Sequence, residues 1–241
     1  MVPIKVNLAA KANYGAVRNI DKIKYIVVHY TGNDGDTDEN NGKYFHNNVV
    51  KASAHYFVDS DSITQSVPDN YVAWSVGGKK LNNGGKLHGI VTNTNSISVE
   101  LCDDDKNGTI YPSGKTILNA VELVKSLMYK YNIPADNVVR HYDVTGKACP
   151  AYWCGDSTKD ALWFTDFKSK LTDVNTSEKK ISTTTNPYEE PKITVQFGST
   201  GGSAKWVQFA LNQHGAELKV DGIFGKASTA ALKAFQKIMD L

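Results

Sequence analysis

The sequence has no long hydrophobic run, little net charge and few cysteines. No stretch of ~18 consecutive apolar residues occurs, so we expect no membrane-spanning helix. Residues 1–14 have neither a basic start nor an apolar core, so we also expect no secretory signal peptide. The 27 basic and 25 acidic residues give a net charge of +2, without the basic stripe that nucleic-acid-binding proteins usually carry. Neither a membrane nor a nucleic acid is therefore expected as a partner.

The cysteines are too few for a disulfide framework. Only Cys102, Cys149 and Cys154 occur, and their odd number leaves at least one thiol unpaired. Each is ordinarily a buried or free thiol, and any other role has to come from its local context.

A polar segment divides the chain. Residues 172–192 are rich in Thr and Ser, contain Pro187 and Pro191, and have almost no large apolar side chains. Such a segment cannot bury enough surface to order itself, so we predict a flexible linker. The sequence thus predicts a first domain over 1–171 and a small module over 193–241.

The first domain interleaves strand and helix patterns. Apolar and alternating runs predict strands, a Ser-Asp-Ser turn predicts a hairpin between two of them, and apolar residues at three- and four-residue spacing predict amphipathic helices. Ser113 is a suitable N-cap for the longer helix, which has to end before Pro134. The predicted strands are 23–30, 54–59, 63–67, 96–102 and 138–139. One predicted helix begins at the cap Ser113 and ends before Pro134, and the other covers 157–171. This order predicts a mixed α/β fold, with a central mixed sheet flanked by helices.

Three side chains could ligate a metal ion. His29 ends the first predicted strand, His141 follows the strand at 138–139, and Cys149 comes eight positions later. Zinc favours imidazole nitrogen and thiolate sulfur, and a catalytic zinc site uses three protein ligands and one open position. The spacing is not a zinc-finger pattern, so by itself it also fits structural or surface histidines.

Five motifs occur in an order that resembles one enzyme family. They are IVVHYT at 26–31, SAHYFVD at 53–59, Ala73-Trp74, SVEL at 98–101, and HYD at 141–143 leading to GKACP at 146–150. Over residues 21–155 they resemble the zinc-dependent N-acetylmuramoyl-L-alanine amidases, which include phage lysozyme-type amidases and peptidoglycan recognition proteins. These enzymes cleave the amide between the lactyl group of N-acetylmuramic acid and the first L-Ala of the stem peptide. The resemblance implies an open cleft that holds zinc.

The resemblance also implies the roles of five residues. His29, His141 and Cys149 would be the zinc ligands, and zinc lowers the pKa of bound water from 15.7 to about 7. Glu100 would pass the proton of that water to the leaving nitrogen, and Lys147 would stabilise the oxyanion. Without the resemblance, Glu100 is a strand carboxylate in a salt bridge and Lys147 is a solvated loop lysine.

Two further residues keep two interpretations each. His55 either binds substrate beside the metal or is a hydrogen-bonded core histidine, and Trp74 either contacts substrate or packs in the core. The chain departs from the family at Ala54, where some members have a tyrosine, which leaves the acid-base role on Glu100. It departs again at Ser75, where many members have a histidine, which changes the substrate contacts expected there.

Cys154 is expected to be a free thiol or a competing ligand. A bond between Cys154 and Cys149 would remove a metal ligand, so we expect both to stay reduced in the active protein.

The C-terminal part resembles the small helical peptidoglycan-binding domain. Its pattern includes WVQFALN at 206–212, VDGIFG at 220–225 and Phe235-Gln236. The alternative is a small helical pair without a ligand. The predicted core consists of Trp206, Phe209, Leu211, Phe224, Leu232 and Phe235.

These observations predict a cell-wall amidase with a wall-binding module, whose partner is peptidoglycan. The alternatives are a non-catalytic peptidoglycan receptor and an amidase that acts on soluble muropeptides. The complete ligand set and Glu100 disfavour the first, and the wall-binding module disfavours the second. The expected absence of a signal peptide fits a phage endolysin that a holin-type partner releases from the host cytoplasm; an autolysin exported by another route is the alternative.

Overall fold

The chain forms two compact units, Met1–Asp173 and Val174–Leu241. In the computed structural model, the described residues are 2–77, 80–81, 85–172, 186–213, 216 and 218–239. Most of the predicted linker, residues 173–185, lies outside this description. Its first residue, Thr172, is the last residue of a helix in the first unit.

The described part of the first unit contains eight strands. They are β1 (Ile4–Val6), β2 (Tyr14–Val17), β3 (Tyr25–Tyr30), β4 (Tyr56–Val58), β5 (Ile63–Gln65), β6 (Tyr71–Ala73), β7 (Ser96–Leu101) and β8 (Val138–Arg140). Six form a mixed sheet in the order β1-β5-β4-β7-β3-β8, and β2 pairs with β6. β4 and β5 are antiparallel, as the predicted hairpin requires, whereas β3 runs parallel to both β7 and β8.

Helices cover the sheet, and two more helices lie in the described part of the second unit. The first unit contains α1 (Asp38–Asn47), α2 (Gly114–Tyr131), α3 (His141–Thr145), α4 (Ser157–Leu162) and α5 (Ser169–Thr172), and the second contains α6 (Gly202–Gln213) and α7 (Lys226–Met239). The predicted mixed α/β fold with a helical C-terminal part is confirmed.

The long helix α2 covers one face of the sheet. The hydroxyl of Ser113 accepts a hydrogen bond from the backbone N–H of Thr116, and Asn132 ends the helix in the left-handed region at φ 50°. Apolar side chains of α2 pack with Val28 and Val99 in the main core. Because side chains alternate along a strand, the next residues, His29 and Glu100, lie on the opposite face.

Two helices differ from the sequence prediction. The predicted helix 157–171 is interrupted between α4 and α5 by a π-helical segment, Trp163–Lys168. The unpredicted helix α1 has a polar sequence, and its start is stabilised by Thr37, whose side chain accepts a hydrogen bond from the Asn40 N–H. Its Gly42 lies against β5, where an added Cβ would come within 2.6 Å of the Thr64 methyl group. Tertiary packing, more than local pattern, therefore specifies α1.

The second unit has a small core between its two helices. Leu211 and Phe224 are buried there, with Leu232 and Phe235 packed against them. Trp206 and Phe209 were also predicted in this core, but they are only partly buried and lie outside this cluster. The ring of Phe209 instead meets the ring of Tyr188, with centroids 6.2 Å apart.

Candidate metal centre

Three segments bring His29, His141 and Cys149 together. His29 is the next-to-last residue of β3, His141 begins α3 directly after β8, and Cys149 lies in the loop beyond α3. β3 and β8 are parallel neighbours, so their carboxyl ends meet at one edge of the sheet. All three side chains are buried, with 2%, 5% and 3% exposed, respectively.

The donor atoms of these residues surround one point. One ligand atom from each of the three lies within 4.8 Å of the others. The Cys149 Sγ is 3.7 Å from the His29 Nδ1. A tetrahedral zinc ion with Zn–N of about 2.0–2.1 Å and Zn–S of about 2.3 Å separates such a pair by about 3.5 Å. The His141 Nδ1 is buried without a hydrogen-bond partner, which suits a nitrogen that faces an ion. These residues could hold a metal ion.

Burial keeps the three donors uncharged in the absence of a cation. It lowers the pKa of His29 well below the usual value, with a further lowering by His141 and Lys147. Burial, followed by the charge of Lys147, lowers the pKa of His141 to about 4. For Cys149, burial and then Glu100 raise the thiol pKa. The imidazoles are therefore neutral and have lone pairs to offer, while a bound cation would favour the thiolate.

A buried arginine ties the two ligand segments to each other. The Asp143 carboxylate accepts hydrogen bonds from the Arg140 backbone N–H at 2.8 Å and from the Arg140 Nη2 at 2.7 Å, which fixes the start of α3. The same guanidinium donates to the backbone carbonyl of Trp153, beyond the cysteine. Arg140 thus links the helix that carries His141 to the segment that follows Cys149.

Glu100 lies beside the three donors. It is the register partner of His29 across β3 and β7, and its Oε1 is 3.9 Å from the His29 Nδ1. The side chain is 18% exposed, and its Oε2 is buried without a hydrogen-bond partner. Burial raises the pKa of Glu100 to about 8, an effect that Lys147 opposes and Asp36 increases. The carboxyl group can therefore hold or release a proton near neutral pH.

Lys147 is exposed, yet its charge reaches the site. It lies in the loop between α3 and Cys149. Its ammonium group lowers the pKa values of His29, His141 and Glu100. Lys147 thus adds positive charge to the surroundings of the donor cluster, and such charge would stabilise developing negative charge.

His55 lies inside the protein and matches the core interpretation. Its side chain is fully buried, and its Nδ1 accepts a hydrogen bond from the Ser98 N–H at 3.0 Å. The neutral ring therefore carries its proton on Nε2, which donates to the Tyr71 carbonyl at 3.1 Å. Burial, followed by the nearby Arg18 guanidinium, lowers the pKa of His55 to about 4. Both ring nitrogens are occupied, so neither is available to a substrate.

Trp74 is half-buried next to the small β2-β6 sheet. Its backbone exchanges hydrogen bonds with Ser53, and its indole nitrogen would lie 3.0 Å from a Cβ added at Gly15. The following residue, Ser75, shares a hydrogen bond with Ser98 through the two hydroxyl groups. Trp74 is thus held by Ser53 and lies against β2, and none of these contacts involves the donor cluster.

The sequence did not single out two tyrosines at the centre. The backbone of Tyr30 lowers the pKa of the Cys149 thiol, against the larger effects of burial and Glu100, which raise it. The hydroxyl of Tyr152 is buried without a hydrogen-bond partner, and burial, followed by Cys149, raises its pKa well above the usual value. The only sequence signals for them are their positions, one residue after His29 and three after Cys149. Cys102 and Cys154 are buried free thiols, as is Cys149.

A second group of acidic side chains has a structural role. Asp38, Asp59 and Asp61 also bring carboxylate oxygens within 4.8 Å of one another. Asp38 accepts hydrogen bonds from the hydroxyls of Ser62 at 3.0 Å and Thr64 at 2.7 Å. Asp59 accepts from the backbone N–H groups of Asp38 and Asp61. These bonds join the start of α1 to the β4-β5 hairpin.

Comparison with known proteins matches each of the two parts of the chain to a protein family. Residues 19–152, more than half of the chain, match the family model described as N-acetylmuramoyl-L-alanine amidase. Residues 200–241 match the model described as a putative peptidoglycan binding domain. One relative is the N-acetylmuramoyl-L-alanine amidase CwlL of Bacillus licheniformis, 34% identical over 230 residues that cover 89% of this chain and 61% of that protein. The N-acetylmuramoyl-L-alanine amidase BlyA of Bacillus subtilis is 36% identical over 62% of this chain and 41% of that protein.

A solved structure extends the likeness to the fold. The structure of PlyL is 29% identical, with a TM-score of 0.57, and the match covers 73% of this chain and 99% of that one. The chain spans about three fifths of the length of the first two curated relatives. On the family match over residues 19–152, with His29, His141 and Cys149 assembled at its centre, the chain belongs to the N-acetylmuramoyl-L-alanine amidase family.

Proposed function

We propose that the chain is a zinc-dependent amidase that cleaves the bond between N-acetylmuramic acid and the L-alanine of the peptidoglycan stem peptide. The observation that carries this proposal is the buried cluster of two imidazoles and one thiol, with Glu100 beside it, within the family match. His29, His141 and Cys149 would hold the ion. The donor set of two nitrogens and one sulfur favours zinc over magnesium or calcium, which prefer oxygen.

Zinc would supply positive charge at the scissile carbonyl and lower the pKa of a water ligand to about 7. The protein supplies the groups that move protons around it. The unpartnered Oε2 of Glu100 is free to accept a proton from the attacking water. The raised pKa lets the same carboxyl group keep that proton and then deliver it to the L-Ala nitrogen as the amide breaks.

Lys147 is proposed to stabilise the negative charge that develops on the carbonyl oxygen. The side chain is exposed, so it can approach a substrate that lies over the cluster. Its charge already acts on the two histidines and Glu100. A charge held close to a partly desolvated oxyanion stabilises the transition state more than the neutral amide.

The C-terminal part is proposed to hold the enzyme on the cell wall. We assign residues 1–171 to catalysis, 172–192 to a linker and 193–241 to a peptidoglycan-binding module, which agrees with the match over 200–241. A tethered catalytic domain meets its insoluble substrate at a raised local concentration. None of the described helices is long and apolar enough to cross a lipid bilayer. Release from a host cytoplasm by a holin-type partner stays a prediction.

Purified peptidoglycan tests the proposed reaction. The zinc-loaded protein should release new N-terminal L-alanine, detected by amino-group labelling. Chelation should stop the release, and added zinc should restore it. No new N-terminal alanine, or release that persists in the metal-free protein, would refute the proposal.

A non-catalytic peptidoglycan receptor is the second candidate. Receptors of this kind lack the means to cleave, whereas all three donors and Glu100 are present here. The Cys149→Ser substitution should abolish cleavage. The substituted chain should still pellet with insoluble walls as the unmodified chain does. If the unmodified chain pelleted with walls but never cleaved them, the receptor function would be favoured instead.

A further inference from the structure

A cavity in the second unit lies at a motif that the proposed reaction does not use. It has a volume of about 250 Å³ and is lined by residues of the VDGIFG turn at 220–225 and of the start of α7. Pockets that enclose a drug-sized ligand usually have about 300–1,000 Å³. This cavity is smaller, so it suits a short segment of a larger polymer.

The buried side chain of Gln208 holds the wall of this cavity in shape. Its Oε1 accepts a hydrogen bond from the Gly222 N–H at 2.9 Å. Its Nε2 donates to the Asp221 carboxylate at 2.9 Å and to the Ile223 carbonyl at 3.0 Å. Gly222 itself has a φ of 78°, which favours glycine. The turn is therefore fixed to α6 without any ligand.

The hydroxyl of Ser228 has an unused proton at this cavity. Ser228 lines the cavity and is only 2% exposed. Its oxygen is 3.1 Å from the Gln208 Nε2, whose two protons have nearer acceptors in the turn. Among the residues that the structure describes, none accepts the proton of the Ser228 hydroxyl. Because buried polar groups are normally paired, an acceptor on a ligand would complete this site.

The charges around the cavity favour an anion. Lys219 and Lys226 line it, and both are exposed, so their ammonium groups can turn toward a ligand. Asp221 also lines it, but its Oδ1 already accepts hydrogen bonds from Gln208 and from the Ile223 N–H, each at 2.9 Å. Two positive charges thus stand against one negative charge whose acceptor oxygen is occupied.

Apolar side chains lie beside these charges. Ile223 is 60% exposed, although it is an apolar residue in the middle of the turn. Leu218 and Ala227 line the same cavity. A ligand that carries a carboxylate close to methyl groups would use both features. The stem peptide of peptidoglycan, with alanine methyl groups and free carboxylates, fits this combination better than the uncharged glycan chain does.

We propose that this cavity binds a carboxylate of the peptidoglycan stem peptide. Lys219, Lys226 and the Ser228 hydroxyl donate hydrogen bonds to the carboxylate, and Ile223 packs against an alanine methyl group of the same ligand. Hydrogen bonds between charged groups are about twice as strong as neutral ones, so the two lysines supply most of the affinity. The proposal rests on the proposed wall-binding role of the C-terminal part and names the portion of the wall that it recognises.

A synthetic stem peptide, L-Ala-γ-D-Glu-L-Lys-D-Ala-D-Ala, is the probe for the metal-free full chain. It lacks the bond that the proposed reaction cleaves. The control ligand is the same peptide with its carboxyl groups amidated. In two-dimensional NMR spectra, the backbone amide signals of residues 222–228 should shift with the free-acid peptide and stay in place with the amidated one. Signals of these residues report on the second unit alone, even if the catalytic domain also binds the peptide.

Two lysines of α7 give a matched pair of substitutions. Lys226→Gln removes a charge that lines the cavity, and we expect it to weaken peptide binding at 222–228 about tenfold, the factor for one lost charge-assisted hydrogen bond. Lys233→Gln removes the same charge from an exposed position of the same helix that does not line the cavity, and binding should stay unchanged. Ser228→Ala should weaken binding as well. The Lys226 test does not depend on this buried residue, because Lys226 is exposed and its substitution should leave the unfolding temperature unchanged.

The outcomes separate this proposal from the proposed function. Equal shifts with the amidated peptide, or equal binding by the Lys226→Gln and unmodified chains, would overturn the carboxylate site and leave cleavage and wall binding intact. Shifts at 222–228 with a chitin oligosaccharide and none with the peptide would assign the cavity to the glycan chain, which also overturns the proposal. An unmodified chain that cleaves walls but is retained on them no better than residues 1–171 alone would overturn the wall-binding role, and this proposal with it.

Discussion

Replacing Glu100 by glutamine separates the catalytic use of a buried carboxyl from its effect on stability. Burial raises the pKa of Glu100 from 4.5 to about 8 in the metal-free protein, although Lys147 opposes the rise. The folded state therefore holds the proton more tightly than the unfolded chain does. The protonated carboxyl therefore makes its full contribution to the free energy of unfolding below pH 4.5, and this contribution is lost as the pH rises through about 8.

The size of this effect follows from the pKa. A rise from 4.5 to about 8 corresponds to at most about 5 kcal/mol, at 1.36 kcal/mol per pKa unit. Because the side chain is 18% exposed, solvent screening reduces the expected change in the free energy of unfolding to about 3 kcal/mol. Glutamine has the same shape and no charge. Metal-free Glu100→Gln should therefore be more stable than the unmodified chain at pH 9 and equally stable near pH 4.

Urea denaturation of the metal-free full chain at pH 4 and pH 9 measures this difference. Glu122→Gln, at an exposed position of α2, is the control for the loss of one carboxylate at the protein surface. With zinc bound, Glu100→Gln should cleave peptidoglycan about 10²- to 10⁴-fold more slowly, the usual contribution of a general acid-base group. A stability difference that is the same at both pH values would refute the burial argument.

Three further substitutions test individual parts of the account. Lys147→Met should lower kcat on peptidoglycan about 10²- to 10³-fold and leave the unfolding temperature unchanged, because the side chain is exposed; a change confined to KM would contradict an oxyanion role. His55→Leu leaves the Ser98 N–H without its acceptor, so it should lower the free energy of unfolding by at least ~2 kcal/mol. The KM should stay unchanged. A raised KM with no loss of stability would place His55 in the substrate cleft instead. Ser113→Ala removes the cap of α2 and should lower the free energy of unfolding by about 1 kcal/mol, measured by urea denaturation, with Ser169→Ala in α5 as a control that should change little.

The resemblance of the ordered motifs to the amidase family suggested the metal-site residues, and the structure shows how the sheet brings them together. A β-branched run places His29 at the end of a strand, and a second short strand precedes His141. Because these strands are parallel neighbours, their carboxyl ends meet, and α3 then returns the chain to Cys149. The order of short motifs was sufficient to suggest the donor set before any geometry was known.

The environments of the other residues depend on distant parts of the chain. The surroundings of the His55 ring are formed by Arg18, Tyr71 and Ser98, which lie 37, 16 and 43 positions away in the sequence. No local pattern distinguishes such a core histidine from one in a cleft. Helix α1 was missed for the same reason, since its polar sequence is stabilised by capping and by packing on β5.

Anomalous X-ray diffraction at the zinc edge, from crystals of the full chain grown with zinc, tests the central claim most directly. The account predicts one peak about 2.0–2.1 Å from a ring nitrogen of His29 and of His141 and about 2.3 Å from the Cys149 Sγ. A peak at Asp38, Asp59 and Asp61, or zinc that binds without occupying the histidine and cysteine donors, would contradict it.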